Sequence, residues 1–215
     1  MAPMINTSNV ARLPSSVLQE IASKGIVKHF PARTLLIHEG DASSALFIVI
    51  EGRVKTYVEN DEGKKATLGF HGPGEYVGEM AVDGGERNAS VVTMEPTTCA
   101  VVTGIALQDF IATHPEFATH LIHELIKRVR ALTQNVKGLA LEDVYRRVAR
   151  LLQRMSMPDG DERIVPRRIT HLEIAEVVGS SREMVSRIFK DLKVGGYVEL
   201  RSGLIVLRKK LPPAW

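Results

Sequence analysis

Between Arg168 and Phe189 the order of capping residues, apolar residues and one glycine admits few folds other than two short helices joined by a tight turn. In "ITHLEIAEVVGSSREMVSRIF", Thr170 is placed to cap a helix and Glu173 to return the hydrogen bond. Ile174, Ala175 and Val178 supply an inner face, Gly179 allows the turn, and Ser180 with Glu183 repeats the capping pattern. Val185, Ile188 and Phe189 then bury the second helix. A small residue at Ala175, a glycine four residues on, and apolar residues six and nine positions after that glycine describe a helix-turn-helix. The alternative for the same residues is a helical subdomain with an exposed, salt-bridged face.

Burial of that inner face leaves Ser181, Arg182, Glu183, Ser186 and Arg187 as candidate DNA contacts at the start of the second helix, the end that enters a major groove. Arg182 and Arg187 can each present a two-pronged donor to guanine O6 and N7, and Glu183 can accept from cytosine N4. Capping and base reading compete for the one Glu183 carboxylate. Thr170 and the first amides of its helix are candidates for a backbone phosphate. "YVELRSGLIVLRKK" reads as a hairpin beside the reading helix, a wing whose Arg201 is a further phosphate candidate.

Charge is divided to match. Residues 143–215 hold 15 Lys+Arg against 9 Asp+Glu, or +6, which leaves 13 against 16, or -3, for residues 1–142. An acidic front and a basic back imply two modules, the second with a polyanionic partner; the alternative is a solvated basic face. With 215 residues there is room for one large domain or two small ones, and 44% hydrophobic with 25% charged residues is ordinary for a soluble globular chain. The longest apolar run, Ala45–Ile50, is too short to cross a bilayer, and "MAPMINTSNVARLP" lacks the features of a secretory signal, so a cytoplasmic protein with no membrane partner is expected. One cysteine, Cys99, can neither close an internal disulfide nor alone hold a zinc or iron-sulfur centre; it reads as a small buried residue.

The front half is β. From residue 30 to 103, "TLLIHEGD", "ALFIVIEGRVKTYVENDEGKKATLGF" and "ASVVTMEPTTCAVVT" read as short strands between turn signals, a small antiparallel barrel or sandwich. Within it "GEYVGEMAVDGGERNASV" brings Glu79 and Arg87 around a glycine-rich turn. From about Pro115 the period changes: Ile122, Leu125, Val129, Leu132, Val136 and Leu139 follow a heptad seam with β-branched residues at every a position and leucine at every d, the choice that favours a parallel dimer. The alternative is an amphipathic helix packed on its own domain. Gly138, ahead of "LALEDV", reads as a hinge; a helix from Asp143 to about Met155 and a loop "MPDGDERIVP" follow.

Enzymatic signatures are missing. "GPGEYVG" lacks the spacing of a dinucleotide loop, and "HELIK" ends on Lys127 where a zinc-binding helix needs histidine. His120 and His123, one turn apart, read as residues of a solvated helix face, so no catalytic and no metal-binding residue is assigned.

Along nearly its whole length the chain resembles the cyclic-AMP receptor protein and Fnr superfamily of bacterial transcription regulators. The resemblance rests on "LFIVIEGRVKTYVENDEGKKATLGFHGPGEYVGEM", "NVKGLALEDV" and "GSSREMVSRIFKDL", in family order. It implies an α+β fold: an N-terminal cyclic-nucleotide-binding β-barrel of jelly-roll type in residues 1–118, a long dimerisation helix and hinge in 119–142, and a C-terminal winged helix-turn-helix domain in 143–215. The implied partners are a cyclic nucleotide, a second copy of the chain, double-stranded DNA and RNA polymerase; no cofactor is implied. Arg182, Glu183 and Arg187 imply a TGTGA-like half-site, with two reading helices about 34 Å apart on a palindrome.

The same resemblance implies an effector site of Gly78, Glu79, Met80, Ala81, Arg87, Asn88, Ala89, Arg128, Leu132 and Thr133. Arg87 would supply the charge for a cyclic phosphate, with amides of residues 78–81 around it. Glu79 would face a ribose hydroxyl with Arg128 neutralising it, and Leu132 and Thr133 would stand by the base. Three departures weaken cyclic AMP more than an anionic nucleotide: Asn88 replaces a hydroxyl residue, the Glu79 to Arg87 loop is short, and Leu132 has no hydroxyl. Cyclic AMP remains the first expectation. Cyclic di-GMP, cyclic GMP, and a ligand-independent or haem-sensing member are the alternatives, along with a barrel in which Glu79 and Arg87 simply pair.

Overall fold

An unbroken apolar run such as Ala45–Ile50 must be covered on both faces, and in the computed structural model, which describes residues 15–42 and 44–212, it is. It forms most of β3 (Ala45–Glu51), an inner strand of a sheet ordered β1-β8-β3-β6, with β1 Ile26–Phe30, β6 Tyr76–Val77 and β8 Thr97–Thr103. A second sheet, β2-β7-β4-β5, comprises β2 Leu35–Ile37, β4 Val54–Glu59, β5 Lys65–His71 and β7 Ser90–Thr93. All pairings are antiparallel. Val49, Val77 and Cys99 of the first sheet meet Ile37, Val54 and Val91 of the second to form the inter-sheet core. Leu46, Ile48 and Ile50 turn the other way, onto Leu18 and Ile21 of α1 (Ser16–Ser23), Leu107 and Phe110 of α2 (Gly104–Thr113), and Phe117 and Leu121 of α3 (Pro115–Leu141). Alternating side chains on one strand thus serve two cores. Burial pushes the Cys99 thiol up to about 12, as befits an inert core residue.

The chain divides into two compact units, Met1–Arg128 and Val129–Trp215. The architecture is α+β, with the β-rich unit first. In the second unit, α4 (Val144–Met155), α5 (His171–Val178) and α6 (Arg182–Val194) pack around Val148, Leu152, Ile174, Val185, Phe189 and Leu192. A sheet ordered β11-β12-β10-β9 joins them, with β9 Met157–Asp159, β10 Glu162–Ile164, β11 Val198–Arg201 and β12 Leu204–Leu207. The β11-β12 hairpin is the expected wing.

Several expectations need correction. Strand structure begins at Ile26, and β1 pairs with β8 although its exposed residues leave no apolar alternation to read. "MPDGDERIVP" is a hairpin, β9 on β10; all three β9 residues are exposed, so composition alone signals a loop. Gly138 is no hinge. The helix runs through it to Leu141, and a Cβ there would lie 2.5 Å from Arg150 Nη2, so the glycine gives room to an arginine that also pairs with Glu142. The break falls at residues 142–143, where Asp143 caps α4 by accepting from Arg146 N at 2.7 Å. His120 does not sit on a solvated face: its ring packs between Tyr76 and Phe117, with Nε2 buried and unpartnered. The stretch "MAPMINTSNVARLP" lies outside the described residues.

Candidate effector site and nucleic-acid interface

Strand β6 is followed by Gly78, at a position that disfavours any side chain. Gly78 has φ of +86°, and a Cβ on it would meet Ala45 O at 2.8 Å and Arg87 Nη1 at 2.9 Å. A 3-10 turn, Glu79–Val82, follows. Ala81 N already donates to Gly78 O at 3.1 Å, whereas the amides of Glu79 and Met80, at the start of the turn, have no partner within it.

Arg87 is buried, 6% exposed. Its Nη1 donates to Gly78 O at 2.8 Å and its Nη2 to Ala45 O at 2.6 Å. Its backbone is tied to the opposite segment, Arg87 N to Asp41 O and Gly40 N to Arg87 O, both at 2.8 Å. Burial lowers the guanidinium's pKa from its ordinary value, opposed by the nearby Glu79 and Asp41 carboxylates. Two carbonyls do not exhaust five N–H donors, so the cation keeps capacity for an anion. Ala89 is buried and Asn88 exposed.

Glu79 and Arg87 do not pair with each other. Glu79 Oε2 lies 2.6 Å from Arg128 Nη1, while Arg128 Nη2 donates to Tyr76 O. Arg128 Cζ also stands 5.6 Å from the centroid of the Tyr76 ring. The Glu79 contact is electrostatic rather than an aligned hydrogen bond, since Oε2 is buried without a hydrogen-bond partner. Oε2 is thus held by the ion pair, and a carboxylate, with about four acceptor sites on its two oxygens, can still accept from a ligand hydroxyl. Leu132 and Thr133 belong to the second unit, exposed on α3, and the Thr133 hydroxyl donates to Val129 O at 2.9 Å.

Of the heptad residues, Ile122 (55%), Val129 (62%), Leu132 (44%), Val136 (64%) and Leu139 (55%) are exposed apolar side chains on α3. Leu125 differs: it is half-buried against the core of its own unit.

In the second unit both arms of the α5 capping box are formed. Glu173 N donates to Thr170 Oγ1 at 3.1 Å and Thr170 N to Glu173 Oε2 at 2.6 Å. The second box is not as expected. Gly179 and Ser180 close α5, with Ser180 N donating to Ala175 O at 3.0 Å, so the cap of α6 is Ser181, whose hydroxyl accepts from Met184 N at 3.2 Å. Glu183 thereby falls at the second helical position, outside any box, and its carboxylate has no capping duty to set against base reading.

Arg182, Glu183 and Arg187 are exposed, while Val185, Ile188 and Phe189 are buried. Ser186, expected to face outward, is half-buried: its hydroxyl lies 2.9 Å from His171 Nδ1, and the His171 ring packs on Phe189 at 4.7 Å. Burial, then Lys193 and Arg182, lower the His171 pKa. Arg201 is not free on the wing either. It sits 3.0 Å from Glu162 and 3.7 Å from Glu199, and Arg208 bridges the same two carboxylates at 2.5 Å each. Nothing in the spacing of residues signalled Glu162 or His171, because each acts across elements distant in sequence. Among the described residues no cluster of three His, Cys, Asp or Glu could hold a metal, and no helix is long and apolar enough to cross a membrane.

Residues 27–114 match the cyclic nucleotide-binding domain family, and residues 146–211 match the Crp-like helix-turn-helix domain family. Over 187 residues the chain is 32% identical to the cAMP-activated global transcriptional regulator CRP of Haemophilus influenzae, covering 83% of this chain and 82% of that one. It is 31% identical over 183 residues to the CRP-like cAMP-activated global transcriptional regulator of Mycobacterium tuberculosis, with 83% and 82% covered. Among solved structures it is similar to the c-di-GMP responsive global regulator CLP of Xanthomonas campestris, with a TM-score of 0.79 and 28% identity over 90% of this chain and 98% of that one. A nucleotide-binding region followed by a Crp-like helix-turn-helix, at this identity over four-fifths of both chains, means that the chain belongs to the Crp family of ligand-responsive, DNA-binding transcription regulators and is not an enzyme.

Proposed function

We propose that the effector is a cyclic nucleotide, cyclic AMP in the first reading, bound in the first unit and changing affinity for a palindromic TGTGA-like site. The observation that carries this is the buried Arg87 guanidinium, fixed by Gly78 O and Ala45 O and still rich in unused N–H groups. Among the described residues Glu79 and Asp41 act on this buried cation but neither forms an ion pair with it, and a ligand that brings one negative charge would match it. The amides of Glu79 and Met80 add donors, with Gly78, Ala81 and Ala89 leaving room and Asn88 standing at the rim. Glu79 accepts from the ribose hydroxyl, its own charge offset by Arg128. Leu132 and Thr133 stand by the base.

Two copies associate through Ile122, Leu125, Val129, Leu132, Val136 and Leu139, an apolar row that one copy leaves largely in water. Residues 1–118 serve as sensor, 119–142 as dimerisation helix and hinge, and 143–215 as reader. Arg182 and Arg187 read guanines, and Glu183 accepts from cytosine. The Thr170 hydroxyl, already accepting from Glu173 N, donates its own hydrogen to a phosphate, and the exposed Ser181 is a further contact. Arg201 reaches phosphate by exchanging Glu162 for it. RNA polymerase as a further partner, and the cytoplasm as the setting, follow from the family role.

A second reading, cyclic di-GMP, is favoured by two observations: Leu132 has no hydroxyl for adenine, and the similar CLP is described as c-di-GMP responsive. Calorimetry of the purified full-length chain against cyclic AMP, cyclic GMP and cyclic di-GMP in parallel tests both. Saturable binding of one nucleotide, lost in Arg87→Ala, supports the site. Binding unaffected by Arg87→Ala removes Arg87 from it, and no binding of any of the three removes the nucleotide reading.

A further inference from the structure

The cross-strand register puts a polar corner inside the jelly roll that no phosphate or ribose contact uses. Val54 of β4 pairs with His71 of β5, and Thr56 pairs with both Gly69 of β5 and Val91 of β7. Val54 and Val91 belong to the inter-sheet core, and paired residues share a face, so Thr56, Gly69 and His71 lie on the inner face too. Gly69 contributes no side chain there. A Cβ at that position would stand 3.5 Å from His71 Nε2, so the imidazole lies alongside the gap that the missing side chain leaves. Across that gap Thr56 Oγ1 is buried with no hydrogen-bond partner. An orphan hydroxyl in a protein interior calls for a partner the chain itself does not supply.

The corner has two charged neighbours in common with the proposed effector site, Glu79 and Arg128. Arg128, Glu75 and Glu79 are the charged groups that act on His71; burial first and then Arg128 lower its pKa, while the two carboxylates raise it. A neutral imidazole offers one donor and one acceptor, and the Thr56 hydroxyl offers both as well.

We propose that Thr56 and His71 read the hydrogen-bonding edge of the effector's purine base, and so set which nucleotide is accepted. This rests on the nucleotide reading above. The test is calorimetry of the full-length wild type, Thr56→Val, His71→Leu and His71→Gln against cyclic AMP, cyclic GMP and cyclic di-GMP, with thermal unfolding of each as a control on the fold. Thr56→Val and His71→Leu should weaken the preferred nucleotide about three- to tenfold and narrow its margin over the others, with His71→Gln recovering part of both. Unchanged affinity and unchanged preference in both variants overturn the inference and leave the nucleotide site standing. Equal loss for all three nucleotides also overturns it, because the pair would then shape the barrel without reading the base. A wild type that binds none of them removes the nucleotide reading, and this inference with it.

Discussion

Arg87 and Gly78 form one unit at the residue scale, since the carbonyl of the glycine holds the guanidinium and the space above it is filled by Arg87 Nη1 and Ala45 O. Gly78→Ala should therefore lower stability by at least about 1 kcal/mol, seen in urea unfolding, and weaken nucleotide binding at the same time. A substitution as stable as wild type would mean the backbone relaxes freely there. Arg182→Ala should cost about 1 to 3 kcal/mol on a TGTGA palindrome with little change on random duplex. Uniform loss on both in a fluorescence-anisotropy titration would instead make Arg182 a phosphate contact. Glu79, Arg87 and Arg128 were legible because charges beside glycines and on a helix stand out against an apolar strand pattern. Thr56 and His71 were not, because a single polar residue in a strand gains its meaning only from the register of its neighbours. Ser186 was misjudged for a like reason: His171, 15 residues away, claims its hydroxyl.

Elements whose ends carry their own signals are legible in the sequence. The α5 capping box forms in full, so Thr170→Ala should remove about 1 kcal/mol of stability, measurable as a lower midpoint in chemical denaturation, whatever its effect on DNA. Heptad periodicity made α3 legible too. Val129→Glu should convert a dimer to monomer in analytical ultracentrifugation, because a carboxylate in a two-stranded seam faces its own copy; an unchanged dimer would move the interface off that face. Elements with exposed or composite faces leave no such signal. Strand β1 has Lys28 and His29 where alternation would be sought, and β9 buries nothing. Ser180 and Ser181 are both good caps, so the sequence alone places the α6 cap one residue early, and only the hydrogen bond that closes α5 assigns Ser180 to the earlier helix.

At the scale of the whole molecule, a nucleotide effector would act by binding two arrangements of a dimer unequally, because a ligand shifts an equilibrium only by that difference. Moving the population from 1:99 to 99:1 needs about 5.5 kcal/mol of such preference. Family order, the charge division and the helix-turn-helix are legible at this scale because each spans many residues, whereas side chains that the sheets bring together from distant positions leave no such pattern. The most direct test is a titration of a labelled TGTGA palindrome with the full-length chain, with and without saturating cyclic AMP and, separately, cyclic di-GMP. One nucleotide should change the Kd for the palindrome at least about tenfold, leave random duplex unchanged, and lose its effect in Arg87→Ala. Identical binding curves with every nucleotide, or a change that survives Arg87→Ala, would contradict the account.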